Sequence, residues 1–266
     1  MQAIEFRERS NLGVYGLGLL IKYELIAFLE NKGAVLSLFV TPILYFVFIC
    51  LGVNRMAGNI SYEGISISYL EYSLTGITMI FIISQMSQTI YRTTIDKRYG
   101  LLALKLLSGI KPIYYVLGMS TYAVLGLFIQ VFALIAIATL FGIRFSLLQM
   151  GLLAITISLI LIFWSSLAVA LTLRINNYEV RDNIISFVIT PLSFTAPVFY
   201  VLDYVPEWMQ ILAKINPVTY QLEALRQGLF LGNYGLPILV LASLAIVAIL
   251  FSSRLVAKST LSLSEY

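Results

Sequence analysis

The sequence has no histidine, one cysteine and few charges: only 11% of its 266 residues are Asp, Glu, Lys or Arg. Without histidine, no His-based catalytic dyad or triad and no His metal site can exist. The lone Cys50 cannot close an intrachain disulfide, and its place in an apolar run marks it as a small buried hydrophobe. Soluble domains carry about 25% charge, so the deficit excludes an ordinary water-soluble protein. There is also no GxxxxGK[ST] phosphate loop, no paired intramembrane aspartates, no aspartate-rich prenyl-binding run and no TVGYG-like filter. No span-length run holds an ionisable residue at its middle, where proton- and sodium-driven pumps place their relay groups. Energy for uphill movement of a solute would have to come from a separate subunit.

What the chain does have is length without charge. Six stretches of 20 residues or more contain no charged side chain: Gly33–Asn54, Tyr72–Tyr91, Pro112–Ile143, Phe145–Leu173, Asn183–Leu202 and Gln227–Ser253. A helix crosses the roughly 30 Å hydrocarbon core in about 20 residues, and a charge at mid-membrane costs at least about 2.5–3.5 kcal/mol. The pattern predicts an all-α integral membrane protein with six transmembrane helices, forming a single transmembrane domain over residues 1–266. Residues 1–33 form a cytoplasmic lead-in, 34–254 hold the spans, and the ends Met1–Arg9 and Ala257–Tyr266 are polar tails. No signal peptide is evident, so the first span is expected to direct insertion.

The formal charge of +4 reports topology rather than a nucleic-acid partner. If the N-terminus is cytoplasmic, thirteen Lys and Arg fall on that side, and only Arg55, Arg144, Lys214 and Arg226 fall on the other. The positive-inside rule then places both termini in the cytoplasm.

Between the runs lie shorter features. Asn11–Lys32 mixes Leu12, Leu19, Leu20, Ile21, Leu25, Ile26 and Leu29 with Lys22, Glu24, Glu30 and Lys32, which suits an amphipathic helix at the cytoplasmic interface. Pro42, Pro191 and Pro197 predict bends, with irregular backbone near Pro197. Gln85 and Gln88 share a helix face that should avoid lipid, either as glue between helices or as a polar lining. After the second run, a short helix is expected from about Lys97 to Leu107, stopped by Ser108-Gly109, and its leucines need something to bury against.

The connection Asp203–Asn233 is apolar for a loop. Pro206-Glu207-Trp208-Met209 reads as one helix start, closed by Lys214, and Asn216-Pro217 as the cap and first turn of a second helix, Val218–Leu229. Two short helices with apolar faces suit a re-entrant hairpin before the last span. Glu223 and Arg226, three apart, can pair on one helix face.

Three of these segments together resemble the ABC transporter type-2 permease family. They are Asp96-Lys97-Arg98-Tyr99-Gly100-Leu101-Leu102 with Leu106-Leu107 and Lys111-Pro112; Ala196-Pro197-Val198-Phe199-Tyr200 with Pro206-Glu207-Trp208-Met209; and Asn216-Pro217-Val218-Thr219-Tyr220 with Glu223 to Arg226. The resemblance implies half of a transporter, in which two membrane subunits, here a homodimer, each rest on a cytoplasmic ATP-binding subunit. ATP and Mg would bind that subunit, with no cofactor in this chain. It further implies that Glu24, Glu30, Asp96, Arg98, Tyr99, Gly100, Leu102 and Leu106 contact the ATPase. Gln85, Gln88, Pro191 and Ser193 would line the route. Pro197, Trp208, Asn216, Pro217, Tyr220, Glu223 and Arg226 would form the outer gate. The expected substrate is hydrophobic or amphipathic: a drug, lipid or lipid-linked glycan. The alternative class is an ATP-independent channel, carrier or scaffold.

Overall fold

The computed structural model describes residues 11–175 and 177–259, without the side chains of Arg55 and Met56. The expected polar tails, Met1–Arg9 and most of Ala257–Tyr266, lie outside the described residues. The chain is overwhelmingly helical. Four helical segments are long and apolar enough to cross a membrane: Lys32–Asn54, Pro112–Leu140, Leu147–Thr172 and Gly235–Lys258. These correspond to the first, third, fourth and sixth charge-free runs.

Helix α1, Gly13–Glu30, ends where Asn31 takes over as the cap of α2, Lys32–Leu44, its side chain accepting from the backbone of Ala34. The inward face of α1 is Gly16, Leu20, Glu24 and Phe28, at strict four-residue spacing. Ile21, Leu25, Ile26 and Leu29, expected in the apolar stripe, stand exposed instead. Pro42 bends the first span into a π-helical stretch, Tyr45–Leu51, before α3, Gly52–Ala57.

A small antiparallel hairpin follows, β1 Asn59–Tyr62 and β2 Ile65–Ser68, which the all-α expectation did not contain. Its two-residue turn, Glu63-Gly64, has positive φ at both positions, the geometry that matches strand twist. Ser68 and Glu71 then form a reciprocal capping box, starting α4, Tyr69–Arg98. At 30 residues, α4 extends about 45 Å and is buried along most of its length. Its polar content keeps it outside the apolar set, although the second charge-free run lies inside it.

Gly100, at φ 70°, adopts the left-handed conformation that lets the chain turn from α4 into α5, Leu101–Leu107. The helix expected from Lys97 therefore begins four residues later. Lys111-Pro112 starts α6, Pro112–Met119, continued by α7, Thr121–Leu140; α8 is Leu147–Thr172. The fifth run is broken: α9, Tyr178–Ile184, passes through a π-helical stretch, Ile185–Ile189, into α10, Thr190–Thr195. At Ala196 the backbone turns extended and leaves the helix. The next connection holds α11, Glu207–Ile215, and α12, Pro217–Leu231, with Asn216 capping α12 and Pro217 in its first turn, at the expected positions. Helix α13, Gly235–Lys258, packs along α8. The main core is α4 against α7, α8 and α12; a second cluster gathers Leu20, Leu102, Leu106, Tyr115 and Met119 at the far end of α4.

Candidate functional site

A groove of about 470 Å³ runs between α4 and the broken segment α9–α10. From α4 it receives Ile80, Ile83, Ser84, Ser87, Gln88 and Tyr91; from the other wall Ile185, Ile189, Thr190, Ser193 and Phe194; Ala196 to Tyr200 close one end. Its polar groups are hydroxyls and one amide, with no charged side chain. Of the expected path residues, Gln88 and Ser193 line it. Gln85 does not: it is turned onto α7, donating to Gln130 at 2.8 Å, with its own carbonyl oxygen buried and unpartnered. A three-residue spacing spans about 300° of helix rotation, which is enough to send Gln85 and Gln88 to different neighbours. Pro191 is exposed on α10 and stands off the groove.

One end of the groove is built from backbone that has left the helix. In a bilayer such carbonyls need protein partners, and here each acquires one. Arg226 Nη2 donates to the carbonyls of Pro197 at 2.8 Å and Val198 at 3.3 Å. Tyr69 donates to Phe199 O at 3.2 Å, and Tyr72 to Tyr200 O at 2.9 Å. Behind them, Asn216 donates to Leu192 O at 2.7 Å and to the Thr195 hydroxyl at 2.8 Å. Arg226 is fully buried, donates also to Thr75 Oγ1 at 3.1 Å, and lies 3.7 Å from the Tyr72 ring centroid. Gly76 makes this approach possible: a Cβ there would stand 2.1 Å from Val198 O.

The expected Glu223–Arg226 pair is not formed. Glu223 Oε1 instead accepts from Tyr62 of the β-hairpin at 2.5 Å and from Gln227 at 3.3 Å. A buried guanidinium has five donors to place, and the freed carbonyls of Pro197 and Val198 outcompete one carboxylate on its own helix. Of the other gate candidates, Pro197 and Asn216 are buried in this clasp, whereas Trp208, Pro217 and Tyr220 are exposed. No sequence signal linked Tyr69, Tyr72 and Thr75 to this end of the groove, though their repeated three-residue spacing on α4 keeps them near one face.

The opposite end of α4 is held by ion pairs. Arg92 meets Glu24 of α1 at 2.6 Å and stacks on Tyr122 at 4.5 Å; Lys105 of α5 meets Asp96 at 2.5 Å, where Tyr115 also donates at 3.0 Å. Lys97 donates to the carbonyls of Leu173 and Ile175 beyond the end of α8, both at 2.8 Å, and partial burial pushes its pKa down. Glu24, Asp96, Leu102 and Leu106, expected at a partner's surface, thus lie inside this chain. The leucines left exposed are Leu101, Leu104 and Leu107, on the other face of α5. Arg98 and Tyr99, which precede α5, are exposed, Gly100 is partly so, and Arg98 stacks on Tyr178 at 4.2 Å; Glu30 is exposed at the end of α1.

The sequence has recognisable relatives. Residues 15–230 match the family described as "ABC-2 type transporter". The chain is 22% identical over 212 residues to the "Inner membrane transport permease YadH" of Escherichia coli strain K12, covering 79% of this chain and 80% of that one. The Shigella flexneri protein of the same name gives the same figures. The "Putative transport permease ycf38" of Cyanophora paradoxa is 24% identical over 161 residues, 60% of this chain and 56% of that one. A charge-poor chain with membrane-length apolar helices that matches this family over most of its length is a membrane transport permease, and it belongs to the ABC-2 type transporter family.

Proposed function

We propose that this chain is the membrane-spanning permease subunit of an ATP-driven exporter, working as two copies with a separate cytoplasmic ATP-binding subunit that holds ATP and Mg. It sits in the cell (inner or plasma) membrane with both termini cytoplasmic. In this reading α4 and α9–α10 are the second and fifth of six spans, and α11–α12 are a re-entrant hairpin at the outer face.

The observation that carries the reading is the groove between α4 and α9–α10. It combines a hydroxyl and amide strip with isoleucine and phenylalanine and holds no charge, which suits a hydrophobic or amphipathic cargo such as a drug, lipid or lipid-linked glycan. Phe187, Val188 and Phe194 on the same broken segment are exposed, apolar surface that a second copy would cover while enclosing the groove. The bare apolar residues of α11, Trp208, Ile211, Leu212 and Ile215, favour insertion into the membrane edge. At the other end, Leu101 and Leu104 of α5 with Glu30, Arg98 and Tyr99 form the surface offered to the ATPase, resting on the ion-paired base beneath.

Affinity purification of the tagged chain from its native membranes tests this. The wild type is expected to bring down an ATP-binding subunit. The Leu101→Asp, Leu104→Asp double variant should insert normally but lose that subunit or its transport-coupled hydrolysis. A wild-type chain that carries no ATP-binding subunit and moves solute without ATP would overturn the reading.

A further inference from the structure

A second groove, about 510 Å³, lies between α12, α13 and Phe163 of α8, away from the groove at α4. Its length follows α13 from Leu236 to Leu244, about 12 Å along a membrane-crossing helix. The deeper wall is apolar, with Val240, Leu241 and Leu244 facing Phe163. Near the start of α13 the wall turns polar, with Glu223, Gln227 and Asn233.

The polar end is poor in cations. Arg226, three residues from Glu223, is turned onto the carbonyls of Pro197 and Val198, and no Lys or Arg pairs with Glu223 among the described residues. Both hydrogen bonds to Glu223 fall on Oε1, leaving Oε2 to accept. The Tyr220 hydroxyl donates its one hydrogen bond to Lys214 O at 2.7 Å, so towards the groove it too can only accept. Gln221 is the complement: Trp164 occupies its carbonyl oxygen at 2.6 Å, leaving its amide N–H groups as donors. Glu223 thus offers one carboxylate oxygen at the mouth of an apolar slot. The complement to that arrangement is a cation with several N–H donors, joined to a chain that fills the slot.

We propose that this groove binds a membrane lipid with a primary-amine headgroup, of the phosphatidylethanolamine kind. The ammonium sits on Glu223 Oε2 and the Tyr220 oxygen, the amide of Gln221 meets an ester carbonyl, and an acyl chain lies along Val240 and Leu244. A choline headgroup has the same charge but no N–H to donate, so the site discriminates by hydrogen bonding rather than by charge. The assignment requires only that α13 crosses the bilayer, and it stands whichever cargo the other groove carries.

Trp164 is a built-in reporter, because the chain has only two tryptophans and the other, Trp208, can be changed to Phe. The Trp208→Phe chain is reconstituted in vesicles carrying brominated phosphatidylethanolamine or brominated phosphatidylcholine at equal mole fraction, and quenching of Trp164 is titrated. The ethanolamine lipid should bind about fivefold more tightly. In Glu223→Gln the two lipids should quench alike, and in Val240→Phe quenching by both should fall. Equal quenching by the two lipids in the parent chain overturns the proposal without recourse to any further variant. A preference that survives Glu223→Gln overturns the placement of the headgroup.

Discussion

The two ends of α4 solve the same problem with opposite chemistry. At the Arg226 end, helical backbone has been abandoned, and one buried cation, two tyrosines and an asparagine satisfy the stranded carbonyls. At the Asp96 end the helices stay intact, and opposite charges on three elements are paired. In the first arrangement most bonds end on main chain, so their geometry is fixed by the fold and those acceptors cannot rotate away. In the second, both partners are side chains, and either can exchange its neighbour for water or for another protein. The first arrangement therefore holds one shape, whereas the second can be rearranged from outside, as the proposed function would require.

Breaking the clasp should have the largest effect. Arg226→Met leaves two buried carbonyls and a hydroxyl without a donor, at about 1–3 kcal/mol for each group; a thermal-shift assay in detergent should show the lowest midpoint of any substitution here. Arg226→Lys should recover only part of the loss, since an ammonium lacks the planar fork and stacks less well on Tyr72. Gly76→Ala comes next: its methyl displaces Val198 and separates α4 from the extended segment, an overpacking cost of about 1–3 kcal/mol. If the clasp works by close approach, Gly76→Ala and Arg226→Met together should destabilise by less than the sum of the two.

At the paired end the effects should be smaller. Asp96→Asn keeps the shape but removes the charge that Lys105 and Tyr115 share, and about 1–2 kcal/mol of stability should go with it. Smallest of all should be Arg98→Ala, which removes only an exposed stacking contact with Tyr178. Its midpoint should barely move while recovery of the ATP-binding subunit falls, which would separate stability from assembly. A large drop in midpoint for Arg98→Ala, or a negligible one for Arg226→Met, would erase the contrast between the ends.

Much of this was legible locally. Charge-free runs locate the apolar helices because desolvation acts residue by residue, and Asn216-Pro217 announces α12 because capping is a four-residue affair. The inward face of α1 was not legible: Glu24 looks like a solvent residue until Arg92, 68 positions later, is brought beside it. Leu102 and Leu106 looked like partner contacts because their actual partners, Leu20 and Met119 among them, come from other helices. The β-hairpin did carry a signal, Glu63-Gly64 between alternating isoleucines and polar residues, but strands this short leave no mark on a pattern of membrane-length runs. Glu223 and Arg226 illustrate the limit of helix spacing: it shows who is adjacent, but not which more distant groups are in greater need of a donor.

The clasp also imposes an order on biogenesis. Thr75 and Arg226 are 151 residues apart, and chains are synthesised from the N-terminus. Throughout that interval α4 exists without the guanidinium that completes its end, and a nascent chain stopped before residue 226 carries raw main-chain carbonyls at Pro197 and Val198. Such a product differs from the finished one by main-chain groups that lack a donor, at about 1–3 kcal/mol each once they are buried. A residue near the C-terminal end of the chain therefore completes a contact whose other side, Thr75, is laid down in the first third.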